Sequence, residues 1–63
     1  SKMDQFKSET HYYEHKYKKS LHEVESSPAV LGQDGIQEDI QQWESAVSSL
    51  EFWERKYQSM LNV

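Results

Sequence analysis

Residues 36–61 read IQEDIQQWESAVSSLEFWERKYQSML, and their spacing decides the fold. Ile36, Ile40, Trp43, Val47, Leu50, Tyr57 and Leu61 recur at steps of four and three, with one gap at Glu54. At about 100° per residue these side chains share one stripe of an α-helix, and a seven-residue repeat presents a continuous seam to a neighbouring helix. Ile40 and Val47 take the a positions of the repeat, and Ile36, Trp43, Leu50 and Tyr57 the d positions. Ala46, Trp53 and Met60 flank them at g, giving a stripe wide enough for a helix that touches more than one neighbour. Glu54 puts a charge where the repeat asks for an apolar group. Either it is a polar seat that fixes register or oligomer number at some cost in stability, or a straight helix drifts off the repeat and Trp53 takes the seat.

The predicted bounds of this helix are 35–61. Asp34 is placed to cap the amide of Gln37, whose side chain can reach back in a variant of the capping box. Glu38 and Asp39 fall in the first turn, where the helix dipole favours anions, and Arg55 and Lys56 lie nearer the far end.

Upstream, Met3, Phe6, Tyr13, Tyr17, Leu21 and Val24, with Thr10 in the same row, recur at steps of three or four. No glycine or proline interrupts them, so the spacing predicts a second long helix over 3–25. Ser26-Ser27-Pro28 ends it, because proline disfavours helical geometry in the residue before it. Residues 26–34 form a connection in which Ser27 as N-cap and Pro28 at N1 start one short turn through Leu31, closed by Gly32. Ser27-Pro28 also fits a minimal proline-directed phosphorylation site.

Charge favours folding the two helices back on each other. Residues 1–24 carry five lysines against four acids, and residues 25–63 seven acids against Arg55 and Lys56. A fold about residue 30 brings Lys16, Lys18 and Lys19 level with Glu38, Asp39 and Glu44, and Asp4 and Glu9 level with Arg55 and Lys56. Each such pair is weak at a wet surface, but the joint sign pattern favours the antiparallel arrangement. The fold class expected is therefore all-α: an antiparallel helical hairpin of two long helices, assembling through heptad-type seams into a helical bundle or coiled-coil oligomer.

Composition narrows the function. Sixty-three residues form one small module, 1–63, and a lone domain of this size buries only roughly 60% of its unfolded surface. With no cysteine there is no disulfide framework, so further helices or copies of itself are the remaining means of stabilisation. A net charge of -4 argues against binding a nucleic-acid duplex, and no apolar run approaches a membrane span. The start Ser1-Lys2-Met3 reads as a piece cut from a longer protein, with Ser1 a cloning remnant. The absence of cysteine fits an intracellular setting, cytoplasm or nucleus.

One stretch points elsewhere. HYYEH, residues 11–15, fits the inverted zinc-peptidase signature H-x-x-E-H. His11 and His15 lie one turn apart and are weak metal candidates. However, they share a row with Lys18 and His22, away from the Phe6-Tyr13-Tyr17-Val24 stripe. Catalysis would need a third protein ligand and a dry cavity, which two helices of this length cannot wall off. The expectation is a non-enzymatic module without cofactor or small-molecule substrate. Its core and interface would be Phe6, Tyr13, Tyr17, Leu21, Val24, Ile36, Ile40, Trp43, Val47, Leu50, Trp53, Tyr57 and Leu61. The partner expected is a second copy of the chain, as dimer or tetramer; the alternative is a helix of another protein received in an apolar groove. Phe52, opposite the seam beside Trp53, would extend such a contact.

Overall fold

The computed structural model describes residues 2–61; Ser1 and the last two residues of the expected module lie outside them. Among the described residues the only regular elements are helices, in the order α1 (Lys2–Tyr17), α2 (Leu21–Glu25), α3 (Pro28–Leu31) and α4 (Ile36–Leu61), joined by short turns. The longest helix, α4, packs against α1. Contacts run in opposite senses along the two: Tyr17 meets Asp39, Tyr13 meets Trp43, and Lys2 lies over Trp53.

The first segment corrects the expectation of one helix over 3–25. α1 stops at Tyr17, Lys18 turns into the left-handed region at φ 54, and the chain restarts at Leu21. A left-handed conformation costs a residue with a Cβ roughly 1–2 kcal/mol. A local motif offsets that cost. Ser20 Oγ accepts the Glu23 amide at 3.2 Å, and Glu23 Oε1 accepts the Ser20 amide at 3.3 Å, a complete capping box. The redirected α2 buries Val24 completely.

The connection contains α3 as expected, with Pro28 in its first turn, although the Ser27 side chain makes no capping bond. The Gly32 amide closes it on the Pro28 carbonyl at 3.1 Å. The start of α4 is a second correction, since the exchange expected between Asp34 and Gln37 does not form. Gly35, at φ 77, turns the chain instead, and its carbonyl accepts the Asp39 amide at 3.2 Å. That backbone region is open to glycine without steric cost.

The core lies at one end of the molecule. Val24, Val30, Ile36, Ile40 and Trp43 form it, with Tyr13, Tyr17, Leu21, Leu31 and Val47 packed around. Trp43, only 1% exposed, anchors the cluster; the rings of Tyr13 and Tyr17 lie near-parallel to it at 5.7 and 6.0 Å. Beyond Ala46, α4 has no buried residue, and α1 has none along its length. A 26-residue α4 extends about 39 Å against about 24 Å for the 16-residue α1, so its last turns project past the packed end. The molecule measures 46 × 20 × 17 Å, closed where four helices meet and open where α4 runs out.

Candidate functional site

The open end carries the exposed apolar side chains. Tyr57, Met60 and Leu61 on α4 are 55%, 68% and 66% exposed, and Phe52 is about half exposed. Tyr57, Met60 and Leu61 continue, on the same helix, the stripe that is buried from Ile36 to Ala46, whereas Phe52 lies on the opposite face. Exposed large apolar groups scattered singly are ordinary on a protein surface; here Tyr57, Met60 and Leu61 are gathered at one end of α4.

Two different flanks border this end. On one side, Lys2, Met3, Trp53, Lys56, Tyr57 and Met60 line an apolar groove of about 400 Å³. Its floor is aromatic and thioether, and its rim is cationic. Lys2 Nζ stands 5.7 Å from the Trp53 ring centre, and Lys56 Nζ lies 5.4 Å from that ring and 5.8 Å from Phe52. Phe52 meets Trp53 edge-on at 5.5 Å, so the two rings and the lysine form one unit. On the other side, Glu51, Glu54, Arg55 and Gln58 line a shallow polar depression.

The structure separates the expected core and interface residues by depth. Val24, Ile36, Ile40 and Trp43 are buried; Phe6, Tyr13, Tyr17, Leu21, Val47, Leu50 and Trp53 are half-buried; Tyr57 and Leu61 are exposed. Ala46, only a flanking position of the repeat, is buried, while Val47, given a seat in the seam, is half-buried. This shift follows from 3.6 residues per turn: a straight helix rotates the contact line about 20° per heptad. By the same drift Trp53 sits half-buried beside Met3, and Glu54 is exposed.

Where the helices cross near the packed end, one carboxylate ties them together. Asp39 Oδ2 accepts Lys16 Nζ at 2.6 Å and also the Tyr17 hydroxyl. The Lys16 contact, and then the Tyr17 hydroxyl, hold the Asp39 carboxyl below its usual range. Burial, and then donation to Asp39, push the Tyr17 phenol up. Of the other pairs expected there, neither Lys18 nor Lys19 reaches Glu38 or Glu44, because the chain turns away at Lys18.

The three histidines do not gather into one group. His11 and His15 lie exposed on α1, and the break after Tyr17 puts His22 on a different helix. Among the described residues no group of three His, Cys, Asp or Glu gathers closely enough to hold a metal. Tyr13, one of the two residues the signature leaves free, is the one that packs on Trp43. No described helix is long and apolar enough to cross a membrane. Comparison with protein families, with curated sequences and with solved structures returned no match.

Proposed function

We infer that this chain is a self-association module: copies join through the open end of α4, as a dimer or tetramer built around a four-helix unit. The observation that carries this is the polarity of the stripe, buried from Ile36 to Ala46 and exposed from Tyr57 to Leu61. A side-by-side helix would continue the packing that α1 begins and cannot finish. The module would serve a larger scaffold or regulatory protein. Joining copies turns weak binding elsewhere on the parent into an intramolecular event, with effective concentrations of order mM for short flexible linkers.

Light scattering and sedimentation across a concentration series test it. A mass that rises from one chain to two or four as concentration increases is the expected result. A folded monomer at every concentration overturns it, and so does a chain that folds only after a different protein is added. The second outcome would assign the groove to a helix of that protein.

A further inference from the structure

At the break between α1 and α2 the local sequence pattern and the fold disagree. Lys18-Lys19-Ser20 contains neither glycine nor proline, and lysine is a good helix former. The apolar stripe also runs straight across it. Tyr13, Tyr17, Leu21 and Val24 follow at steps of four, four and three, so one uninterrupted helix would keep all four on one face. Against this pattern, Lys18 is held in the left-handed region at φ 54, which disfavours any residue with a Cβ. What holds the bend is local and exposed: the reciprocal bonds between Ser20 and Glu23, at 3.2 and 3.3 Å.

The two helices on either side of this bend are anchored differently. α1 buries no residue fully. It meets α4 through the Tyr13 and Tyr17 rings on Trp43, and through Lys16 and Tyr17 on Asp39. α2 is fixed in the core by Val24, which has no exposed surface. A straightened bend therefore lifts α1 off α4 and leaves α2 in place. The face of α4 so bared carries Trp43, which requires aromatic cover, and Asp39, which takes donors from two side chains. An α1 of the same sequence supplies both.

We propose that residues 18–20 are a hinge through which two copies of this chain exchange α1. The hinge straightens into one helix running from α1 to α2, and α1 of each chain seats on α4 of the other. Every α1–α4 contact recurs in the exchanged pair, so the balance between closed monomer and exchanged dimer is set by the two hinges and by concentration. Straightening relieves Lys18 and gives up the bonds between Ser20 and Glu23. This exchange goes beyond the open-end contact inferred above and does not use the exposed turns at Tyr57–Leu61.

The test uses the full 63-residue chain carrying Leu61→Asp, which disables the open end, alone and with either Ser20→Ala or Lys18→Gly. Sedimentation gives the dimerisation constant, and circular dichroism checks the helix content. Mixtures of labelled and unlabelled chain report, by isotope-filtered NMR, whether Tyr13 meets Trp43 within a chain or between chains. Ser20→Ala removes the cap at both hinges of a pair and is expected to raise the dimerisation constant at least tenfold. Lys18→Gly eases the bend and weakens the straight helix, and is expected to lower it at least tenfold. In the dimer the Tyr13–Trp43 contact is expected between chains. Dimers that keep this contact within each chain overturn the exchange, as does a monomer at every concentration in both the parent and the Ser20→Ala chain. A shift in the same direction by the two hinge variants overturns it as well. Should Ser20→Ala unfold, the Lys18→Gly comparison and the interchain contact in the parent decide. Conversely, a wild-type dimer that Leu61→Asp leaves unaltered, with the contact between chains, removes the open-end joint and keeps the exchange.

Discussion

Asp39 shows how one side chain can join two helices. Its carboxylate stands in the first turn of α4, where the dipole favours an anion, and it accepts from both Lys16 and Tyr17 at the end of α1. Folding lowers the Asp39 pKa, so its contribution is complete above the unfolded value, about 3.9, and is lost as pH falls through the folded value. Folding raises the Tyr17 and Lys16 values, so their contributions are present below about pH 10 and are lost as pH rises through the folded values. Asp39→Asn is expected to destabilise the chain by about 1 kcal/mol at neutral pH and to flatten the acid side of the stability profile. Urea unfolding between pH 3 and 7 checks this; an unchanged acid limb would place the acid sensitivity elsewhere. Charge patterning sets Lys16, Lys18 and Lys19 level with Glu38, Asp39 and Glu44 without choosing among them, and the structure selects Lys16 with Asp39. The Tyr17 bond was not, because periodicity assigns Tyr17 to the apolar stripe and does not say where its hydroxyl ends.

At the scale of elements, α4 was the most readable part of the chain. Its repeat is long, its first turn is acidic, and Gly35 stands just before it. The break between α1 and α2 was missed because glycine and proline were taken as the marks of interruption. The signal was Ser20-Leu21-His22-Glu23, a capping box inside an otherwise helical pattern. Two substitutions bracket the strain there. Ser20→Ala removes the cap and is expected to cost about 1 kcal/mol. Lys18→Gly relieves the left-handed residue and is expected to add about 0.5–1 kcal/mol, raising the melting temperature by several degrees. Should Lys18→Gly destabilise instead, the turn at φ 54 is not the strained point. At α3 Ser27 serves as N-cap through its backbone alone, its carbonyl accepting the Leu31 amide at 3.0 Å beside Pro28, while the serine hydroxyl stays out of the cap.

The whole molecule is polarised, with a packed end around Trp43 and an open end at Tyr57–Leu61. That polarity makes the surface test clean, since Leu61 is remote from the core and 66% exposed. Leu61→Asp is expected to leave helicity and melting of the dilute chain nearly unchanged, because surface substitutions away from special features stay within about 0.5 kcal/mol. The same variant should shift the association midpoint to at least tenfold higher concentration. A variant that associates like wild type would move the contact away from this end. The sequence by itself determined that the chain is all-helical, that α4 is one long amphipathic helix, and which residue types form its stripe, because periodicity and capping are local properties. Only the tertiary structure decided which part of the stripe is used internally. Burial depends on where the shorter α1 ends against the longer α4, on the turn at Lys18, and on a rotation of the contact line that brings Ala46 and Trp53 toward α1 while Glu54, Tyr57 and Leu61 stay in water.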